Sequence, residues 1–186
     1  MKLIRCSHKK ARRTERFFSM IEVAMALAVV AIGVVSIVAL FPIGMEASRD
    51  AIADSYAADA ADGFLHYQAT LGKTSGNWAN LTGLSPSKPD SGQTGIETTF
   101  SSSATSITGT NTKFYASSTP GLFKIAMEPD FSGVFRLWRS DVTYGGSLTI
   151  PNTVAVGLNV EVSWPSQAPY PKRKRALYYL EVFNPN

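Results

Sequence analysis

The chain has 186 residues, enough for one ordinary domain with an attached segment, and its formal net charge is +4. The charge is concentrated at one end, because residues 1–17 hold seven basic side chains and one acidic one, or +6, which leaves −2 for the rest. This distribution removes the main support for a body that binds nucleic acid over a generally basic surface. The single cysteine, Cys6, excludes an intramolecular disulfide.

The next segment, residues 18–41, is an apolar run with one charged residue, Glu22, near its start. As a helix it would extend about 36 Å, and about 20 residues already cross the hydrocarbon core of a bilayer. A core helix would keep a polar face, and the apolar part of a cleaved secretory signal is shorter and ends at small residues. The run therefore predicts a transmembrane helix, and the basic residues before it predict a cytoplasmic N-terminus with the remainder exported.

Glu22 is the unusual residue of this run. An acidic side chain costs about 2.5–3.5 kcal/mol at the centre of a bilayer and usually marks a function when it occurs in a membrane helix. A carboxylate in the first turn is also favoured by the helix dipole. Two interpretations of Glu22 stay open at this point. It either lies at the level of the lipid headgroups, or it is a functional carboxylate that pairs with another group.

The basic segment, the sequence FSMIEV from Phe18 to Val23 and the unbroken apolar helix together resemble the N-terminal signature of type IV prepilins. The following ALAVVAIGVVSIVALFP is similar to the minor pseudopilins of type II secretion and to the minor pilins of type IV pili. The whole layout also resembles, more weakly, the pilin-like Verru_Chthon cassette protein B family. The signature covers about the first quarter of the chain.

This resemblance implies cleavage between Phe17 and Phe18 by a prepilin peptidase, followed by N-methylation of the new Phe18 amine. It implies that Glu22 pairs with the N-terminal ammonium of a neighbouring subunit during assembly. The expected partners are sibling pilins or pseudopilins in a helical filament and the lipid bilayer of the inner (cytoplasmic) membrane, with a single-pass topology and a head in the periplasm or on a surface filament. Phe17 stands where the family has glycine, so an uncleaved, membrane-anchored exported domain that forms no filament is an alternative.

Beyond Pro42 the pattern stays helical to about Leu71. One stripe, expected to pack against a domain, consists of Ile52, Tyr56, Ala60, Phe64 and Tyr67. The aspartates on the expected solvent side are Asp50, Asp54, Asp59 and Asp62. The predicted organisation is a basic leader (1–17), a transmembrane and filament-core helix (18–42), an amphipathic spine helix (43–71), a Ser/Thr/Gly-rich variable loop (72–112) and an antiparallel sheet (113–186).

The last part of the chain reads as strands separated by turn signals. The predicted strands are Lys113–Ser117, Leu122–Met127, Val134–Arg139, Val154–Trp164 and Ala176–Phe183. Alternation of Val160, Val162 and Trp164 with polar residues predicts a half-buried strand. In the loop before them, Trp78, Leu81 and Leu84 are expected to touch the head, and residues 98–112 form either a floppy loop or an irregular hairpin. A helix followed by antiparallel strands predicts an α+β fold with a pilin-like layout.

Catalysis is not indicated, and the chain is not expected to be an enzyme or to need a cofactor. His8 lies in the leader, and His66 lies on the spine helix with no cysteine after residue 17, so a Cys–His pair cannot form there. Glu128 and Asp130 beside a turn could bind calcium, but such pairs are more often a solvated corner, so no metal is assigned.

One candidate binding site remains, the run of four cations Lys172, Arg173, Lys174 and Arg175. It could contact DNA phosphates, anionic lipid or a neighbour's acidic helix, although a charged turn between strands is the expected structure. Nucleic acid is not expected as a partner, because no aromatic residues interleave with the cations. The predicted function is a structural or assembly subunit of a type IV pilus-like or type II secretion filament. A DNA-uptake or surface-binding minor pilin, using this run or the 72–112 loop, is the other alternative.

Overall fold

The structure is a computed structural model that describes residues 18–74, 76–90, 92–107, 112–127 and 131–185. The chain divides into two compact units, Met1–Ser48 and Arg49–Asn186. One helix, α1 (Met20–Lys73, 54 residues), is assigned across the boundary and includes Pro42. The predicted helix from Phe18 to about Leu71 is confirmed to within two residues at each end.

In the first unit, α1 begins at a serine cap. The backbone N–H of Ile21 donates to Ser19 Oγ (3.2 Å) and that of Glu22 to the Ser19 carbonyl (2.9 Å). Further along, the hydroxyl of Ser36 donates to the Ile32 carbonyl (2.8 Å), so this polar group is satisfied within the helix. No residue from 18 to 52 is buried, and this part of α1 is long and apolar enough to cross a membrane.

In the second unit, α1 continues as the spine of the head. Its buried face is formed by Ala57, Ala60, Ala61, Phe64 and Leu65. The predicted stripe is thus correct for Ala60, Phe64 and the partly buried Tyr67, but wrong at its N-terminal end, where Ile52 is 50% and Tyr56 36% exposed. The buried face instead includes Ala57 and Ala61, whose small side chains let the helix lie close to the sheet. The four aspartates of this part are exposed, as predicted.

The rest of the second unit is mainly antiparallel sheet. The elements are α2 (Trp78–Thr82), β1 (Thr105–Ser106), β2 (Thr112–Ala116), β3 (Leu122–Met127), β4 (Phe131–Ser140), β5 (Val142–Tyr144), β6 (Leu148–Ile150), β7 (Ala155–Trp164), a 3₁₀ turn (Tyr170–Lys172) and β8 (Lys174–Phe183). The main sheet has the order β1-β2-β3-β4-β7-β8 with every neighbouring pair antiparallel, and β5 and β6 form a separate hairpin. The α+β prediction is confirmed at this level.

The hydrophobic core lies between α1 and one face of the main sheet. Phe64 stands at its centre, with ring centroids 5.7 Å from Phe114, 5.0 Å from Phe123 and 5.5 Å from Phe135. Such edge-to-face contacts contribute about 0.5–1.5 kcal/mol beyond area burial. Leu81 of α2 is also buried in this core, with Trp78 and Leu84 packed against it, so the predicted contact of these residues is confirmed.

The opposite face of the main sheet, here called the far face, is covered as well. On β7 the apolar set Val160, Val162 and Trp164 is buried towards α1, but Ser163 on the far face is also fully buried. The prediction of a half-buried strand is therefore wrong over this part of β7. The covering chain comes from residues 85–90, 92–101 and 165–173, whose backbone is bonded to the sheet and within itself, for example by the bond from Arg139 N to Ser85 O (2.9 Å).

Over residues 98–107 the structure agrees with the predicted irregular hairpin rather than with a floppy loop. Phe100 forms an isolated antiparallel bridge with Ser117, and β1 pairs with β2 at Thr105 and Phe114. The end of this segment, residues 108–111, lies outside the described residues, as do the leader 1–17 with its Phe17 and the acidic pair Glu128 and Asp130.

We expect Gly121→Ala to destabilise the head much more than the matched change Gly145→Ala. Both glycines have positive φ, 78° and 61°, which costs an alanine about 1–2 kcal/mol. A Cβ on Gly121 would also lie 2.4 Å from the Leu137 carbonyl oxygen, whereas one on Gly145 would meet nothing within 4 Å. Urea unfolding of the full-length protein in detergent, followed by tryptophan fluorescence, should show an additional loss of about 1–3 kcal/mol for Gly121→Ala. Equal losses for the two variants would contradict the close approach of β4 to this turn.

Candidate functional sites

The predicted assembly site lies at the start of α1. Glu22 is in the first helical turn, and its backbone N–H is bonded to Ser19, so its side chain is placed next to the positive end of the helix dipole. Phe18 precedes the helix and is 77% exposed. Both residues are thus accessible to a neighbouring molecule, while Phe17, on the other side of the proposed cut, lies outside the described residues.

The strongest electrostatic feature of the head is a carboxylate held between two arginines on the far face. The two oxygens of Glu97 each accept a bond from one guanidinium, Oε1 from Arg136 Nη2 and Oε2 from Arg173 Nη2 (2.5 Å). The side chains of both arginines are fully buried, and that of Glu97 is 2% exposed. Ser163 Oγ lies 3.4 Å from an Nη1 atom of each arginine and donates to the Val134 carbonyl (3.1 Å).

A second carboxylate, Glu161, extends this cluster. Glu161 is directly opposite Arg136 in the β4–β7 register, with 3.6 Å between Oε1 and Arg136 Nη1. The Tyr170 hydroxyl donates to Glu161 Oε1 (2.8 Å), and Lys88 Nζ donates to Glu161 Oε2 (3.1 Å) and to the Tyr170 hydroxyl (3.0 Å). The bond to Tyr170, with the help of Glu161, raises the pKa of Lys88 despite its partial burial. The guanidinium of Arg136 stacks on the Tyr170 ring at 4.1 Å.

This ion cluster, defined as Lys88, Glu97, Arg136, Glu161 and Arg173, joins four separate parts of the chain. It connects the 85–97 segment, strands β4 and β7 and the turn before β8. One backbone bond joins the same segments, because Tyr170 N donates to the Gly95 carbonyl (3.1 Å), and the side chain of Arg173 is held within its turn by a bond from Nε to the Ala168 carbonyl (2.7 Å). The cluster closes the far face of the sheet, so its first role is structural.

The run of four cations from Lys172 to Arg175 is divided by the fold. Arg173 is 4% exposed and belongs to the ion cluster, so the expectation of a charged surface turn is wrong for this residue. Lys174 Nζ lies 2.6 Å from Asp50 Oδ2 of α1, a hydrogen bond that raises the pKa of the lysine. Arg175 Nη1 contacts the Tyr170 hydroxyl (3.4 Å), which leaves Lys172 as the cation of this run without a partner among the described residues.

The other sequence candidates do not gather into a site. His66 Nε2 lies 3.4 Å from Asp62 Oδ1 one turn earlier on α1, and both side chains are largely exposed. Within the described ranges, no three His, Cys, Asp or Glu side chains lie close enough to hold a metal ion. Glu128 and Asp130 are outside those ranges.

Sequence reasoning missed the ion cluster for an identifiable reason. Arg136 and Glu161 could have been noticed, because each is a charged residue inside an otherwise apolar strand. Glu97 gives no local signal, since it stands in a Ser/Thr/Gly-rich loop 39 residues from Arg136 and 76 from Arg173.

No family model, no curated protein and no solved structure matches this chain. Its function therefore has to be inferred from its own residues and from the elements that hold them.

We expect Glu97→Ala to cost about 3–5 kcal/mol of unfolding free energy, because it leaves two buried guanidinium groups without their carboxylate. The matched control is Asp62→Ala, which removes an exposed partner from His66 and should change stability by less than about 0.5 kcal/mol. Urea unfolding followed by tryptophan fluorescence suits both variants, since all three tryptophans lie in the second unit. A cost below about 1 kcal/mol for Glu97→Ala would show that the ion cluster does not hold the far face closed.

Proposed function

We propose that this chain is a pilin-like subunit, anchored by the first part of α1 in a membrane and assembled through it into a filament. The proposal includes processing between Phe17 and Phe18 and export of the second unit. It rests chiefly on one observation, the contrast between the two parts of α1. Residues 20–48 expose their side chains throughout, whereas Ala57–Ala69 contribute to a packed core.

The exposed apolar surface supports this proposal. Large apolar side chains follow one another around the whole helix, with Ile21, Leu27, Ile32, Ile37 and Leu40 all at least 65% exposed. A contiguous apolar surface of this size is not stable in water and marks contact with lipid or with other proteins. Because the backbone bonds of an α-helix are satisfied internally, such a segment can move from a bilayer into a helix bundle without losing hydrogen bonds.

Glu22 supplies the specific part of the proposal. In a bilayer its carboxylate has to stay near the headgroups, because an unpaired charge buried in hydrocarbon is costly. In a bundle of apolar helices the ammonium of a processed Phe18 on an adjacent subunit is a complementary partner. Two opposite charges in a low-dielectric core are each expensive alone and much less expensive together. The pairing would therefore select the axial register in which the helices assemble.

The DNA-uptake alternative has less support, because Arg173 is buried and Lys174 is paired with Asp50. An anchored domain without a filament differs from the proposal in two points, the cleavage between Phe17 and Phe18 and the use of Glu22.

We expect Glu22→Ala to leave membrane insertion intact and to reduce incorporation into filaments by at least about tenfold, since 1.4 kcal/mol of lost pairing already corresponds to that factor. Glu22→Gln keeps the shape and should be intermediate. The matched control is Glu46→Ala, which removes another exposed carboxylate of α1 outside the apolar run. Filaments are sheared from cells that express the sibling subunits, and the chain is quantified by blotting against the membrane fraction. Wild-type incorporation of Glu22→Ala would refute the pairing mechanism, and absence of the wild-type chain from every filament would favour the simple anchored domain.

A further inference from the structure

A cavity of about 550 Å³ lies over strands β2 and β3 on the far face. Its floor includes Tyr115 and Lys124, which are directly opposite each other in the β2–β3 register. One wall is formed by residues 96–101 and the other by Ser166 and Gln167. This volume is in the range typical of small-molecule sites, which combine an apolar lining with a few polar groups.

A second cavity, of about 410 Å³, adjoins the first around Phe100 and Ser101, which line both. The second cavity adds hydroxyl groups, from Thr99, Ser117 and Ser118. The wall that the two share is held by the backbone, because Phe100 is bridged to Ser117 and Ser101 N donates to the Ala116 carbonyl (2.8 Å). The two cavities therefore adjoin at Phe100, and together they are called here the Phe100 groove.

The charge of the Phe100 groove is positive. Glu97 lines it, but both of its carboxylate oxygens are bound by Arg136 and Arg173. Lys124 also lines it and has no carboxylate partner within the described part of the chain. A ligand in the groove would thus meet one uncompensated ammonium beside a neutralised carboxylate.

From this arrangement we propose that the Phe100 groove binds a linear acidic saccharide, with a uronic acid carboxylate at Lys124. Sugar rings have flat apolar faces that suit Phe100 and Tyr115, and their hydroxyl groups need partners that both donate and accept, as serine and threonine hydroxyls do. A carboxylate on Lys124 makes a charge-assisted bond, which is stronger than a neutral one. An extended peptide is less suited to this groove, because β2 is already paired on both sides, with β1 and with β3.

The site does not depend on whether the chain enters a filament, since all of its residues lie in the second unit. The test uses the purified full-length protein in detergent micelles and isothermal titration with trigalacturonate. The neutral comparison ligand is cellotriose, and the peptide comparison is hexaglutamate. We expect saturable binding of trigalacturonate, and an affinity at least about tenfold weaker for Lys124→Gln, because a bond to a charged group contributes about 1.5–3 kcal/mol.

The matched control is Lys172→Gln, which removes an exposed lysine that does not line the groove. Its affinity for trigalacturonate should equal that of the wild type. A loss equal to that of Lys124→Gln would mean attraction by overall charge and would overturn the proposed site. The proposal is also overturned by the absence of saturation up to about 10 mM trigalacturonate, by equal binding of cellotriose, or by tighter binding of hexaglutamate.

Discussion

The structure depends on a single helix that has to satisfy two different surroundings. Up to Phe41, α1 is apolar on every side apart from Glu22 near its start, and up to Ser48 it exposes all its described side chains. From Ala57 onwards the same helix buries alanines and Phe64 against a sheet. The aromatic contacts around Phe64 make this second part the centre of the head's core, so the head cannot form without it. The apolar first part then has to find its own environment, which a bilayer or a bundle of similar helices provides.

The far face of the sheet is held by a different kind of interaction. Hydrophobic packing is non-directional, whereas Glu97 requires both guanidinium groups at defined positions, since a buried charge without its partners costs several kcal/mol. The ion cluster therefore fixes the path of residues 85–97 over the sheet without adding much net stability relative to an apolar substitute. The ion cluster also fixes one wall of the Phe100 groove, because Glu97 lies next to Ile96 and Thr98 in that wall.

Local patterns were sufficient for most secondary structure. The helix was predictable from its apolar run and alanine content, and β3 was predicted at its observed bounds, Leu122–Met127. The predictions that were wrong depend on contacts between residues that are far apart in the sequence. The burial of Arg173 could not be predicted, because four successive cations usually lie on the surface. No residue near Arg173 in the sequence indicates that its carboxylate partner lies 76 residues away. Ser163 was assigned to solvent because alternation identifies one buried face but cannot show that a distant loop covers the other. The structure of the described residues between 72 and 107 could not be predicted for the same reason, since it depends on their contacts with the sheet.

The most direct measurement of the central claim is the accessibility of α1 in intact membranes. Cys6→Ser removes the chain's only cysteine, and single cysteines are then placed at Ser36 in the apolar run and at Thr94 on the head, both of which are exposed. Whole cells are labelled, after any outer layer has been made permeable, with a maleimide that cannot cross a lipid bilayer. A membrane-embedded first part of α1 predicts rapid labelling at position 94 and protection at position 36 until detergent is added. Equal labelling at both positions before detergent would contradict the membrane anchor on which the account rests.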